Sequence, residues 1–241
     1  MTARLCRHIL VERSTKGPMS AVTQKADGES STRDRLVEVA MRLFWEKGYG
    51  ATSIQDILRE SKVHAGSLYH FFPTKQDLLL TVLERYQQGI YPMLLAPAWK
   101  GVTDPIERVF ALLARYRQAL VTTDCFYGCP IGSLALEIHE PDPPVRELLS
   151  ANFNGWTRAI EECIAAAAPR LPGDIDPARL ASFVLTVMEG GVMQSRTHRS
   201  LDAFDASVDL LRDYFNRLEA SAAAHAPKSR RTSKKPQPRH R

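Results

Sequence analysis

The stretch from Thr52 to Lys75, TSIQDILRESKVHAGSLYHFFPTK, constrains the fold more than any other part of the chain. It reads as a helix, a tight turn, a short second helix, a proline stop and the start of a third helix. Thr52 and Gln55 have the spacing of a capping box, in which two side chains satisfy free backbone N–H groups at a helix start. Ile54, Ile57 and Leu58 form the buried face of that helix, and Val63 and Leu68 carry the apolar side across the turn. Pro73 ends the short helix, and Thr74 with Asp77 repeats the capping spacing to open the next. The outer face of the short helix is small and polar: Gly66 has no side chain, and Ser67, Tyr69 and His70 stand beside it. Two helices in this order suit a helix-turn-helix, whose second helix lies in the major groove of duplex DNA while the first crosses the backbone.

The rest of the chain also reads as helix after helix. Leu36, Ala40, Leu43 and Phe44 recur at helical spacing between Thr32 and Lys47, with Ser31 and Asp34 as a capping pair and Gly48 as a stop. Asp-Pro occurs at Asp104-Pro105, Asp142-Pro143 and Asp176-Pro177. Aspartate caps a helix and proline suits its first turn, so helices are predicted near 105–122, 144–167 and 177–198. A shorter one around 130–139 and a last one at 203–220 bring the total to about nine. No segment alternates with period two, and the predicted class is all-α. Residues 1–29 lack periodicity and are expected to form a disordered arm, with Met19 as a second candidate start. Residues 30–90 form the three-helix domain (motif 53–72), 91–221 a helical body, and 222–241 a basic disordered tail.

Charge and cysteine usage narrow the setting. Residues 86–227 hold twelve Lys/Arg against seventeen Asp/Glu, while 228–241 hold seven Lys/Arg and no acid. The basicity therefore lies in the tail, and the body is acidic. Cys6, Cys125, Cys129 and Cys163 are widely spaced without a CxxC pair, which fits a reducing, cytoplasmic setting. No apolar run approaches the ~18 residues of a membrane span. Glycine-rich phosphate loops, GxSxG and HExxH are missing from the sequence, so neither an enzyme nor a cofactor is expected. Cys125, Cys129 and His139 have no fourth ligand at a familiar zinc spacing, so no metal is expected.

Residues 30–90 resemble the DNA-binding domain of the tetracycline-repressor (TetR) family. The matching residues are Thr32-Arg33, Ala40, Leu43-Phe44, Gly48-Tyr49, Ala51-Thr52-Ser53-Ile54, Asp56-Ile57, Val63, Gly66 through Phe72, Lys75 and Leu78-Leu79. The resemblance implies a homodimeric, ligand-responsive transcriptional regulator, most simply a repressor, bound to a double-stranded DNA operator; the alternative is a ligand-independent DNA-binding protein. In that reading His64, Ala65 and Ser67 reach base edges, with Gly66 letting the backbone approach. Tyr69, His70, Lys75, Thr52 and Ser53 hold phosphates. Ala65 stands where many members carry a larger or basic residue, which implies fewer charged groove contacts.

For the body the resemblance implies an effector pocket and a dimer interface. Trp99, Phe110, Phe126, Cys129, Trp156 and Met188, with Phe183 and Met193, are the candidate lining of that pocket. Gly190, Gly191, Phe204, Val208, Leu211, Phe215 and Leu218 are the candidate interface, the last five being spaced 4, 3, 4, 3 like a coiled-coil seam. The segment GCPIGSLALE resembles the GC-x-x-G-N-L-A-x-E segment of one branch of the family, with Ser133 in place of asparagine. Pro130 suits a first helical position, which would set Cys129 at a helix N-terminus. The dipole there lowers a thiol pKa, so Cys129 is a candidate electrophile or redox sensor with Cys125 as its resolving partner.

Overall fold

The structure is a computed structural model that describes residues 24–140 and 142–225, with side chains from Thr32 onward. Every regular element among these residues is helical. Nine helices carry the fold: α1 (Gln24–Lys47), α2 (Ile54–Ser61), α3 (Ala65–Phe71), α4 (Lys75–Gly89), α5 (Pro105–Thr122), α6 (Pro130–Glu137), α7 (Pro143–Ala166), α8 (Pro177–His198) and α9 (Asp202–His225). After α4 the chain stays helical through a π stretch, Ile90–Leu95, and a single α turn, Ala96–Trp99. Pro92 lies inside that stretch and has no N–H to give to the preceding turn, which is a common cause of such a widening.

Most of the start signals work as the sequence suggests. Thr74 and Asp77 form a capping box at α4, and Asp104 and Asp176 each accept two backbone N–H groups at α5 and α8. Asp142 occupies the cap position of α7 without a side-chain bond. Gly48 stops α1 with a φ of +94°.

Three boundaries differ from expectation. α1 begins at Gln24, inside the expected arm, so Ser31 is a helical residue and not a cap. α9 continues to His225, into the expected tail. Residues 1–23 and 226–241, with Cys6, Met19 and the basic run, lie outside the described residues. The cap of α2 is Ser53 and not Thr52: Ser53 Oγ accepts from Asp56 N, and Asp56 closes the box from its third position.

Thr52 is turned inward instead. It is fully buried, and its hydroxyl lies 2.7 Å from Gly48 O and 3.2 Å from Leu43 O, tying the end of α1 to the start of α2. Thr52→Val keeps the shape and removes the donor. We expect a loss of about 1–2 kcal/mol, read by calorimetry as a Tm lower by about 2–8 °C for a chain of this size.

The head, α1–α3 and the first turns of α4, closes over Leu36, Leu43, Phe44, Ile57, Leu68, Phe72 and Leu78. The body packs α5, α7, α8 and α9 around Ile106, Leu113, Trp156, Ile160, Val184, Met188, Phe204 and Phe215. α4 runs from one to the other. It is pinned to α7 by buried Asn152, whose Nδ2 donates to Leu83 O at 3.0 Å and to Leu148 O at 2.8 Å.

The expected dimer seam is largely internal. Phe204, Leu211 and Phe215 are buried inside the subunit, and Gly191 is buried against Phe204. Their spacing reflects α9 lying on its own α8 and α5, an ordinary core stripe. Val208 and Leu218 are half-buried against the same core. Gly190 differs, since a Cβ there would meet nothing within 4 Å.

Candidate functional site

α3 presents one continuous exposed face. His64, Ala65, Gly66, Ser67, Tyr69 and His70 are all exposed, Tyr69 at 52%. Leu68 points the other way and is fully buried, and half-buried Phe71 packs on the same core, so these two anchor the helix and leave its outer face open. His64 is in the cap position and its side chain makes no capping bond. A Cβ on Gly66 would meet nothing within 4 Å. The glycine therefore bares backbone to the outside. A shallow hollow of about 230 Å³ lies beside it, lined by Thr32, Gly66, Ser67, His70 and Phe71.

The flanking phosphate candidates are less free than expected. Burial withdraws Thr52 from any outside contact. Ser53 is exposed, but its hydroxyl serves the capping box, and Asp56 brings a carboxylate to the same end of α2. The hydrogen bonds from Ser53 and the neighbouring Arg59 hold the Asp56 carboxyl well below the usual range, so it stays ionised there. Lys75 donates to Tyr49 O and sits 4.2 Å from the centre of the Tyr49 ring. Partial burial lowers its pKa and the nearby Glu137 opposes that shift. Lys75 thus works first as a strut of the head.

Glu137 is a functional candidate that sequence reasoning missed. It closes α6 in the body, and its carboxylate accepts from Tyr49 N at 2.8 Å and Gly50 N at 2.6 Å in the head. Trp45 Nε1 donates to Gly128 O at 2.8 Å, and the Trp45 ring packs on Tyr127 with centroids 4.5 Å apart. α6 and the loop before it therefore latch the turn between α1 and α2. The sequence did carry a signal: an acid in the last turn of a helix faces the negative end of the dipole and is unfavourable unless a partner holds it.

The other end of α6 lies in a buried polar cluster. Cys129 caps the helix, with Gly132 N pointing at its sulfur from 3.4 Å. Its thiol also hydrogen-bonds Glu189 of α8. Burial and the Glu189 charge push the Cys129 thiol well above its ordinary value, outweighing the helix terminus. The expectation of a reactive thiolate is therefore corrected: this cysteine is held as a protonated thiol. Cys125 is also buried, and burial raises its pKa too. Burial likewise raises Glu189. Tyr116 of α5, raised chiefly by burial, feels the charges of Cys129 and Glu189. Trp156 meets Tyr116 edge to face at 6.4 Å, and its Nε1 has no partner.

The expected pocket residues split into three groups. Cys129 and Trp156 belong to this cluster, and Met188 precedes Glu189 in α8 and is buried. Phe110 is buried against Phe215 and beneath Arg212, and Trp99 is half-buried, its Nε1 donating to Arg108 O at 2.9 Å. Phe126, Phe183 and Met193 are about half exposed, and the last two lie on the outer side of α8.

Comparison with known proteins places this geometry. Residues 36–82 match the family described as bacterial regulatory proteins, tetR family, and residues 105–211 match the tetracyclin repressor-like C-terminal domain. An uncharacterised HTH-type transcriptional regulator of Mycobacterium tuberculosis is 31% identical over 178 residues, covering 72% of this chain and 88% of the relative. The HTH-type transcriptional regulator LmrA of Bacillus subtilis (strain 168) is 30% identical over 172 residues, covering 70% and 88%. The HTH-type transcriptional repressor DhaR of Mycobacterium sp. (strain GP1) is 26% identical over 175 residues, covering 72% and 86%. A TetR regulator from Chloroflexus aurantiacus has the same fold, with a TM-score of 0.70 at 24% identity over 79% of this chain and 97% of its own. The chain belongs to the tetR family of bacterial regulatory proteins, as a transcriptional regulator and not an enzyme.

Proposed function

We propose that this protein is a homodimeric repressor that binds a palindromic DNA operator through α3 and leaves it when a small molecule enters the body. The observation that carries the reading is the position of α6. One end carries Glu137 onto backbone N–H groups of the head, and the other carries Cys129 into the buried cluster around Glu189. A ligand that shifts α6 at the cluster pulls on the DNA-reading head directly, alongside the route through α4. A relative named as a repressor supports the sign of regulation. The GCPIGSLALE segment is α6 and its approach, which ties the branch resemblance to the same latch. A two-fold dimer places its α3 helices in successive major grooves, with half-sites about 34–36 Å apart or a multiple of this.

Selection from random duplex DNA tests the reading. An inverted repeat is expected to be enriched. Tyr69→Ala should weaken all sequences alike, whereas His64 or Ser67 changes should alter base preference. If no sequence is enriched, the regulator reading fails.

The latch has its own expected result. Glu137→Gln keeps the side chain's size but weakens two charge-assisted bonds. Effector coupling in such systems is about 1–3 kcal/mol, or about 5- to 150-fold in DNA affinity. The variant is expected to lose most of that ratio, measured as operator affinity with and without effector. An unchanged ratio would leave α4 as the sole route.

A further inference from the structure

Glu189 is a carboxyl group on an apolar helix, between Met188 and Gly190 in the run VLTVMEGGVM. Its Oε1 is buried with no hydrogen-bond partner, and among the described residues no lysine or arginine pairs with it. Its other oxygen lies against Gly132: a Cβ there would be 2.6 Å from Oε2 and would push the carboxylate aside. The Cys129 thiol and the Tyr116 phenol are the polar groups near it, and a thiol is a weak donor. An unpaired buried carboxylate is costly unless it is neutralised or given a cation. Close by stands an aromatic wall. Tyr116 and Trp156 meet edge to face, Phe153 packs on Trp156 at 5.9 Å, and Trp156 is 5% exposed with its Nε1 unpartnered. A free acceptor near aromatic rings suits one chemistry. A positively charged nitrogen satisfies the acceptor through N–H and interacts favourably with ring faces.

We propose that the effector of this protein is an organic cation, an ammonium or amidinium compound with an apolar body, anchored by Glu189 between α6 and α8 and walled by Tyr116 and Trp156. This rests on the ligand-responsive reading above and gives its chemical class. The anchor also explains the response. A nitrogen inserted at Glu189 competes with the Cys129 thiol and presses on Gly132, both at the start of α6.

The test uses the full chain and matched probes of one shape: phenethylammonium and benzamidinium as cations, 2-phenylethanol as the neutral counterpart, and benzoate as the anion. For molecules this small, dissociation constants of about 0.1–1 mM are expected for the cations, read by calorimetry and thermal shift. The neutral and anionic probes should bind at least about tenfold more weakly, a difference of 1.4 kcal/mol. Glu189→Gln should remove that preference. A second reading uses unaltered protein. Once pH falls below the Glu189 pKa, cation affinity should drop about tenfold per pH unit as the carboxylate takes a proton. The other titratable groups beside it, Cys129 and Tyr116, are raised by burial and keep their protons through this range. Equal binding of 2-phenylethanol, undiminished cation binding by the Gln variant, a flat pH profile, or no cation binding at about 1 mM would each overturn the proposal. The operator selection is run without probe. If it succeeds while the cations fail, only the ligand class is wrong.

Discussion

A chain carrying Phe183→Glu and Leu210→Glu is expected to run as a monomer and to bind its operator about 10²- to 10⁴-fold more weakly. The expectation starts from exposure. Phe183 is 49% exposed on α8, and Leu210 and Tyr214 are 71% and 40% exposed on α9. Phe183 and Tyr214 pack edge to face across the two helices at 6.3 Å, so the residues form one apolar patch. Open Gly190 and half-exposed Met193 extend it along α8. Two copies of the α8–α9 pair, joined about a two-fold axis, would bury this patch as a four-helix contact, the same surface of each copy facing the other. Placing two glutamates in it sets four charges at the centre of an apolar contact. Losing the dimer makes the second half-site a separate binding event, and that removes the gain of linkage quoted above. Size-exclusion chromatography with light scattering and an operator titration measure both effects. A variant that stays dimeric moves the interface away from α8 and α9.

Gly191→Val carries the largest expected cost to the fold. A Cβ at Gly191 would lie 2.9 Å from Phe204 Cδ2 and 3.3 Å from Phe204 Cα. The ring can yield only by disturbing a fully enclosed core, since Phe204 is 1% exposed, and the Cα is backbone. Overpacking of this kind costs about 1–3 kcal/mol or more. Valine, with two branches at that point, should sit at the upper end, and Tm should fall by about 6–12 °C. Gly190→Ala is the matched control. Its added methyl meets nothing and removes a helical glycine, so its Tm should rise slightly. Equal losses from the two would mean that the Gly191 approach is not what holds α9 on α8.

These two glycines show how far the sequence could be read. A glycine pair in a helix interior signals a close approach, and the signal is real at Gly191. It does not say whether the approaching helix belongs to the same subunit. The 4, 3, 4, 3 spacing of α9 has the same ambiguity, because a core stripe and a coiled-coil seam share a period. The candidate interface on α8 and α9 is marked by exposure, which only the packed structure supplies. The helix starts were legible because capping is local chemistry: Asp104, Asp176 and Thr74 act within three residues of themselves. Thr52 misled for the same reason. Two hydroxyls stand side by side at a helix start, and the choice between them was made by Leu43 O and Gly48 O on the preceding helix. Cys129 was placed correctly at a helix N-terminus, but its thiol responds to Glu189, sixty residues further along the chain. The α3 face was read most fully, because its one buried residue, Leu68, and its exposed neighbours follow from helical period alone.

The ties within the head have a consequence for how the protein meets salt. Arg59 is paired with Asp56, Arg42 with Glu46 and Glu60, and Lys75 is bound to Tyr49 O. Cations already engaged within the protein displace few of the ions condensed on duplex DNA. Each phosphate neutralised contributes about −0.9 to the slope of log K against log salt concentration. A plot for this protein should therefore be shallower than its count of basic residues suggests, and its hold on DNA should persist as ionic strength rises.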